Sequence, residues 1–466
     1  MSKLAAAVAF MFGLLVAGTG HAQAANGQLT EEEVGQSSWA LIFGNRDERE
    51  QALRVLRERG DLDTAAALIL AIRFRRSARA DLSNTLQEIT GHDANDWFGW
   101  MLWQETHPEV RPHPSFETVK LGVFDRIDPN FRTFFQEEWI RRERMHIRLE
   151  EVTWGGVAAL TGIPSLDNPR MIDAASADYM LDTDLIFGVE INGDARAYPL
   201  RIMGWHEMFN DVIGGVPVAL AYCTLCGSGI LYETTLEDQD EPLVFGSSGL
   251  LYRSNKLMFD WQTRSLWNQF TGRPVVGPLV KSGIELRTRP VVITDWQSWR
   301  ARHPDTKILS IDTGHTRDYR SGVVYADYFG SDALMFPAFV RDGDLPSQKD
   351  YVFGIRDVGS AKAWPLTAFE GGAVINDSVG ARNVLLLGDE ATRTVRAYDR
   401  GEIELSRTDG LDTVSGPGGD WRVQEDAIVG PDGKRLPRIA GSISYWFAWD
   451  GYLGARSELY DPATAQ

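Results

Sequence analysis

The sequence predicts an α+β, multi-domain chain: a short N-terminal stack of HEAT-like helical hairpins, then a duplicated, β-rich, barrel- or sandwich-like and mostly antiparallel region. Three observations carry this. Short amphipathic segments ending in glycine fill residues 30 to about 107. From about residue 152 the texture changes to glycine, aspartate and β-branched runs, as many strands with tight turns require. Finally, "FGVEINGDARAYPL" (187–200) matches "FGIRDVGSAKAWPL" (353–366). At 466 residues the chain is too long for one ordinary core.

Residues 1–24 read as a secretory signal peptide. Lys3 supplies the positive start, Leu4 to Val16 the apolar stretch, and Ala22-Gln23-Ala24 the small-residue cleavage site. The expected location is periplasmic or secreted, with cleavage near Ala24. No later run approaches 18 apolar residues, so no stable membrane span is expected after cleavage. A formal charge of −18 disfavours nucleic-acid phosphates and anionic lipid as partners.

Residues 25–110 form the helical domain. Thr30 and Glu33 fit a capping box, and Gly60 and Gly91 fit left-handed helix stops. Leu82, Leu86 and Ile89 share one helix face, and "NDWFGWMLWQE" reads as an aromatic helix. Residues 111–151 read as a connector, with a proline-rich entry and then the amphipathic "FFQEEWIRRERMHIRLEE". The first β-rich unit spans 152–345, a second, degenerate unit 346–456, and a tail 457–466.

The repeat extends further. Asn210-Asp211 faces Asn376-Asp377 in the same register, and Trp299 and Trp449 each lie thirteen residues past the leucine ending "VVGPLVKSGIEL" and "IVGPDGKRL". Shared residues are mostly glycine, proline and apolar, which is what a fold needs. By contrast Cys223 faces Asp389 and His206 faces Gly372. Chemistry at the cysteines therefore belongs to the first copy alone.

Cys223 and Cys226, in "AYCTLCGSGILYE", are the only cysteines. The flanking runs favour strands, so the pair sits in a tight turn, not at a thioredoxin-type strand-to-helix junction. A bridge across so short a loop constrains the unfolded chain little. C-x-x-C-G is not the C-x-x-C-H of haem attachment. As a metal knuckle it supplies two thiolates, and His206 is the nearest third donor, with copper or zinc as candidate cofactors. Met203, Met208 and Met258 are soft donors, and Glu207 and Asp211 harder ones. His206 has two other readings: a packed histidine bonded to backbone, or a base that activates a thiol. Gly246-Ser-Ser-Gly249 lacks the G-x-S-x-G spacing, and no P-loop, H-E-x-x-H or EF-hand motif occurs.

"FGVEINGDARAYPLRIMGWHEMFNDVIGGVPVALAYCTLCGSGILYE", with "FGSSGLLYRSNKLMFDWQTRSLWNQFTGRPVVGP", resembles the bacterial and archaeal family called domain of unknown function 3179. The resemblance covers roughly residues 150 to 450 and excludes the helices before 110. It picks out His206, Asn210, Asp211, Cys223, Cys226, Tyr252, Asp260 and Trp267; Arg253 lies among them as a further site-lining candidate. Some relatives are described as selenoproteins, and selenium at either cysteine position would favour redox chemistry.

The functional expectation is an exported protein whose C-x-x-C site, with His206, works as a thiol-dependent oxidoreductase, metal-assisted or not. Its partner would be a redox or metal-delivery protein. The alternatives are a non-enzymatic copper- or zinc-binding protein, and an interaction scaffold with an aromatic-rich β surface.

Overall fold

A computed structural model describes residues 29–237, 239–341 and 346–462. The signal-peptide reading falls on residues outside these. Among the described residues no helix is long and apolar enough to cross a membrane. A helical region leads into antiparallel-rich sheets, the last of them an eight-stranded, nearly closed, barrel-like sheet.

The helices begin and end where their side chains dictate. Thr30 and Glu33 close one capping box and Asn45 and Glu48 a second. Gly60 and Gly91 take left-handed C-cap positions. Helix Glu31–Phe43 packs on Arg46–Arg59, and Ala65–Phe74 on Arg79–Thr90. Ala65 to Ile72 is buried all round, so this helix is the axis of the helical core.

Residues 111–151 do more than connect. Pro114 introduces the helix Ser115–Ile127, which packs on Glu31–Phe43 and Ala65–Phe74. Proline suits a helix start because the N–H it lacks would have no partner there. The amphipathic run after Phe134 forms no α-helix, only 3-10 turns at Arg142–Arg144 and Leu149–Glu151. Its apolar side chains Phe134, Phe135, Ile140 and Ile147 pack in the same core as the helices.

The duplication is a duplication of structure. Strands Leu185–Ile191 and Asp194–Pro199 pair Phe187 with Tyr198 and Gly188 with Ala197. Tyr351–Asp357 and Ser360–Pro365 pair Phe353 with Trp364 and Gly354 with Ala363. The polar frame repeats too. Asp211 accepts from Tyr198 Oη and Arg196; Asp377 accepts from Trp364 Nε1 and Lys362. Asn210 bonds both backbone groups of Phe245, and Asn376 both of Leu405. Asn210 and Asp211 thus do the same structural work in each copy.

Each hairpin also gains a parallel strand from further along the chain, Lys307–Leu309 in the first copy and Ser457–Leu459 in the second. The second unit therefore reaches into the segment read as a tail. Each copy carries an insertion between matching strands. In the first it is residues 245–276, which Val152–Trp154 joins at one edge to make a five-stranded sheet, and in the second it is residues 406–429. One face of this sheet packs Leu250, Leu257, Phe259 and Val276 against the helical core. The other packs Phe245, Met258 and Trp267 against the Cys-bearing strands.

Glycine is required where each hairpin meets its tryptophan. A Cβ on Gly188 would stand 2.5 Å from the Trp299 ring, and one on Gly354 only 1.9 Å from Trp449. Gly188→Ala and Gly354→Ala are each expected to cost about 1–3 kcal/mol, the larger loss at 354. Urea unfolding checks this; an unchanged midpoint in both variants would show that the tryptophans are not seated as described.

Candidate functional site

Strand Val216–Cys223 runs into a tight turn and returns as Ser228–Glu233, with Cys223 paired to Ser228. Gly227 closes the turn at φ +61, a conformation glycine adopts without strain. A Cβ there would also strike Tyr351 at 2.9 Å. Both cysteines are buried free thiols, with Sγ atoms 2.6 Å apart. That is longer than a covalent S–S bond of about 2.05 Å, so a small closure suffices to join them.

The turn's own backbone is satisfied from outside. Cys226 O accepts from Tyr445 N of the second copy at 2.7 Å. Leu225 O accepts from Tyr328 Oη, also at 2.7 Å. Tyr328 belongs to residues 310–341, a long segment that crosses over the first unit with one short helix, Ala326–Phe329.

Asn255 Nδ2 donates to Cys226 Sγ at 3.1 Å and to Gln269 Oε1 at 3.1 Å. Gln269 is anchored in turn on Ala221 O. Burial pushes the Cys226 thiol well above its usual range; neighbouring Cys223 adds to this, and the Asn255 amide partly offsets it.

The structure corrects the third member of the site. His206 ends the helix Leu200–His206 and turns away from the thiols: Nδ1 donates to Pro164 O at 2.9 Å, and Nε2 accepts from Tyr319 Oη at 2.6 Å. Both ring nitrogens are engaged, and the ring is fully buried as a packed histidine is. Glu207, the next residue, leaves the helix at φ +57 and enters the cysteine pocket instead. Its carboxylate accepts from Thr224 Oγ1 at 3.0 Å and Ser247 Oγ at 3.2 Å, and pairs with Lys256 Nζ at 3.2 Å. Lys256 also donates to Glu207 O. Burial lowers the Lys256 pKa, against the pull of Glu207 and Cys223.

Among the described residues no three His, Cys, Asp or Glu side chains gather in a way that could hold a metal ion. The set Cys223, Cys226 and His206 is not assembled. Met203, Met208 and Met258 pack in apolar cores. The polar partners of Cys226 Sγ outside the turn are the Asn255 amide, which donates to it, and Ser254 O, which accepts from it at 3.5 Å.

The other expected residues frame the site. Tyr252 and Arg253 begin the hairpin turn that delivers Asn255 and Lys256; Arg253 and Ser254 both have positive φ. That turn is held by the helical region, since Arg253 Nε donates to buried Glu151 at 2.6 Å, and Arg148 pairs with the same carboxylate. Asp260 accepts from Trp267 Nε1 at 2.8 Å and from Thr263, a closed set that stabilises the far end of the hairpin. Sequence reasoning missed Lys256, Asn255, Gln269, Thr224 and Ser247. The one available signal was Lys256 itself, a charge inside the strand "NKLMFD".

A cavity of about 50 Å³ lies beside the pair, bounded by Cys223, Thr224, Glu207, Ser247, Lys256 and Tyr325 among others. Cys226 is not in its wall.

His206 generates a pH signature. Burial, and the nearby His315 and Arg317, hold its pKa down at about 4 instead of 6.5. Below pH 6.5 the unfolded chain binds a proton that the folded chain refuses until about pH 4. Stability is therefore complete above 6.5 and is lost as pH falls toward 4, by on the order of 3 kcal/mol. Unfolding midpoints across this range should show that fall, and His206→Gln should flatten it. An equal slope in the variant would remove His206 from the account.

No curated protein and no solved structure matches the chain. The profile of the family described as "Protein of unknown function (DUF3179)" matches residues 161–455, which hold both copies and the cysteine turn. The chain belongs to that family.

Proposed function

We propose that the protein is an exported, thiol-dependent oxidoreductase whose Cys223–Cys226 pair cycles between dithiol and disulfide. One observation carries this reading: two free, buried thiols lie 2.6 Å apart beside a buried carboxylate–ammonium pair, in a turn whose counterpart in the second copy, Asp389 to Thr394, has the same register and no cysteine. A structural role shared by both copies would have left cysteines in both.

Cys223 is the attacking sulfur because it faces the cavity. Cys226, held behind it as a high-pKa thiol, is the resolving one. In the oxidising direction the Cys223 thiolate takes the first oxidising equivalent. Cys226 then displaces the group left on Cys223, forming the S–S bond. In the reverse direction a partner thiol attacks Cys223 Sγ and releases Cys226 as thiolate. A second partner thiol then frees Cys223, so two electrons and two protons pass from partner to protein. Glu207 is suited to carry the Cys223 proton, and Lys256 to balance the thiolate charge. Export rests on the N-terminal sequence alone.

Intact mass on protein purified without reductant tests the reading. A reversible loss of two hydrogen masses is expected, and Cys223→Ser and Cys226→Ser should each abolish it while unfolding cooperatively. A pair that no oxidant converts in the folded wild-type protein would overturn it.

A further inference from the structure

The oxidant can be narrowed from the shape of the site, an inference that rests on the redox reading above. Cys223 is only 2% exposed and Cys226 is fully enclosed. The space in front of Cys223 is about 50 Å³; apolar side chains such as Leu250 and Leu251 form most of its wall, and the Thr224 and Ser247 hydroxyls, the Glu207 carboxylate and the Lys256 ammonium line the rest. A water takes about 30 Å³ of liquid, so the cavity suits a guest of two or three heavy atoms. A peptide or glutathione disulfide, which must bring its own S–S bond in line with Cys223 Sγ, is far larger. Tyr325 forms part of the wall and pairs with Thr224. The turn behind is fixed by Tyr328 and Tyr445, so the pair is not presented outward as a docking loop.

We infer that the oxidising substrate of this site is a small hydroperoxide, hydrogen peroxide or a short alkyl hydroperoxide, bound between Cys223 Sγ and the Glu207–Lys256 pair. The chemistry balances. The Cys223 proton passes to the Glu207–Lys256 pair, and the thiolate attacks one peroxide oxygen. The S–O bond forms as the O–O bond breaks. The departing oxygen takes back that proton and leaves as water or an alcohol. Cys226 then attacks the Cys223 sulfenic sulfur; the S–S bond forms, the S–O bond breaks, and the hydroxide leaves with the Cys226 proton as a second water. The two sulfurs together lose two electrons and the peroxide gains two. The Lys256 ammonium beside the breaking O–O bond acts as an oxyanion donor does, where loss of one costs roughly a hundredfold in rate, and the Thr224 and Ser247 hydroxyls hold the Glu207 carboxylate in place.

The test is single-turnover oxidation of the reduced full chain, followed by intact mass, with hydrogen peroxide and oxidised glutathione in parallel. Hydrogen peroxide should form the internal disulfide roughly a hundredfold faster than it oxidises free cysteine, and faster than oxidised glutathione does. Cys226→Ser should stop at a sulfenic acid trapped by a dimedone probe. Lys256→Met should slow the peroxide reaction at least about tenfold, while complete closure by excess hydrogen peroxide at long times confirms that the two sulfurs still meet. If oxidised glutathione closes the pair as fast as peroxide or faster, or peroxide reacts at the free-cysteine rate, the small-oxidant inference is overturned and the redox pair stands. If nothing closes the pair, both fall.

Discussion

A turn taken out of water must find partners for its own peptide groups, and the rest of this molecule is organised around meeting that need. The Cys223–Gly227 turn is buried, and its carbonyls at Leu225 and Cys226 are met by Tyr328 Oη and Tyr445 N. One donor comes from the long crossing segment and the other from the second copy. The duplicated unit, which has no cysteine, thus acts as the wall against which the first copy's turn is pressed. Leu225, Tyr445, Phe447 and Ala448 share one apolar cluster with both thiols.

Burying charge beside that turn imposes a second condition. An isolated ammonium in such a place would be costly, and Lys256 persists because Glu207 pairs with it and two hydroxyls satisfy the carboxylate. The pair is assembled from distant parts of the chain. Glu207 arrives by a left-handed step off a helix end. Lys256 arrives on a hairpin whose turn is gripped by Glu151 of the helical region. The N-terminal helices therefore reach the chemistry through Glu151, Arg253 and Lys256 in succession, which gives a physical reason for helices outside the family match to accompany it.

Much of the frame was legible in the sequence. Glycine and tryptophan positions in the repeat translated directly into two hairpins of the same register, because close approach of Gly188 to Trp299 and Gly354 to Trp449 leaves no other residue room. Capping boxes and glycine stops are local, and they held. The cysteine turn was legible for the same reason. The site's third member was not, because a one-residue step decides it: His206 and Glu207 are neighbours, and only the left-handed backbone at Glu207 determines which enters the pocket. Asn255, Lys256 and Gln269 reach the site from residues 245–276, where the two copies share little sequence, so the repeat could not flag them. The proline-rich entry at residues 108–114 resembled a linker because a helix start and a linker both use proline.

The central claim is that the two thiols behave as one two-electron couple inside the folded protein. The test is equilibration in glutathione buffers of graded potential, approached from both the reduced and the oxidised chain until the two agree and read by acid-quenched alkylation and mass. One transition is expected between a doubly alkylated and an unalkylated chain, with the Nernst slope of a two-electron couple, about 30 mV per tenfold change. Two independent cysteines that alkylate or glutathionylate separately, or thiols that stay reduced at every potential, would contradict it.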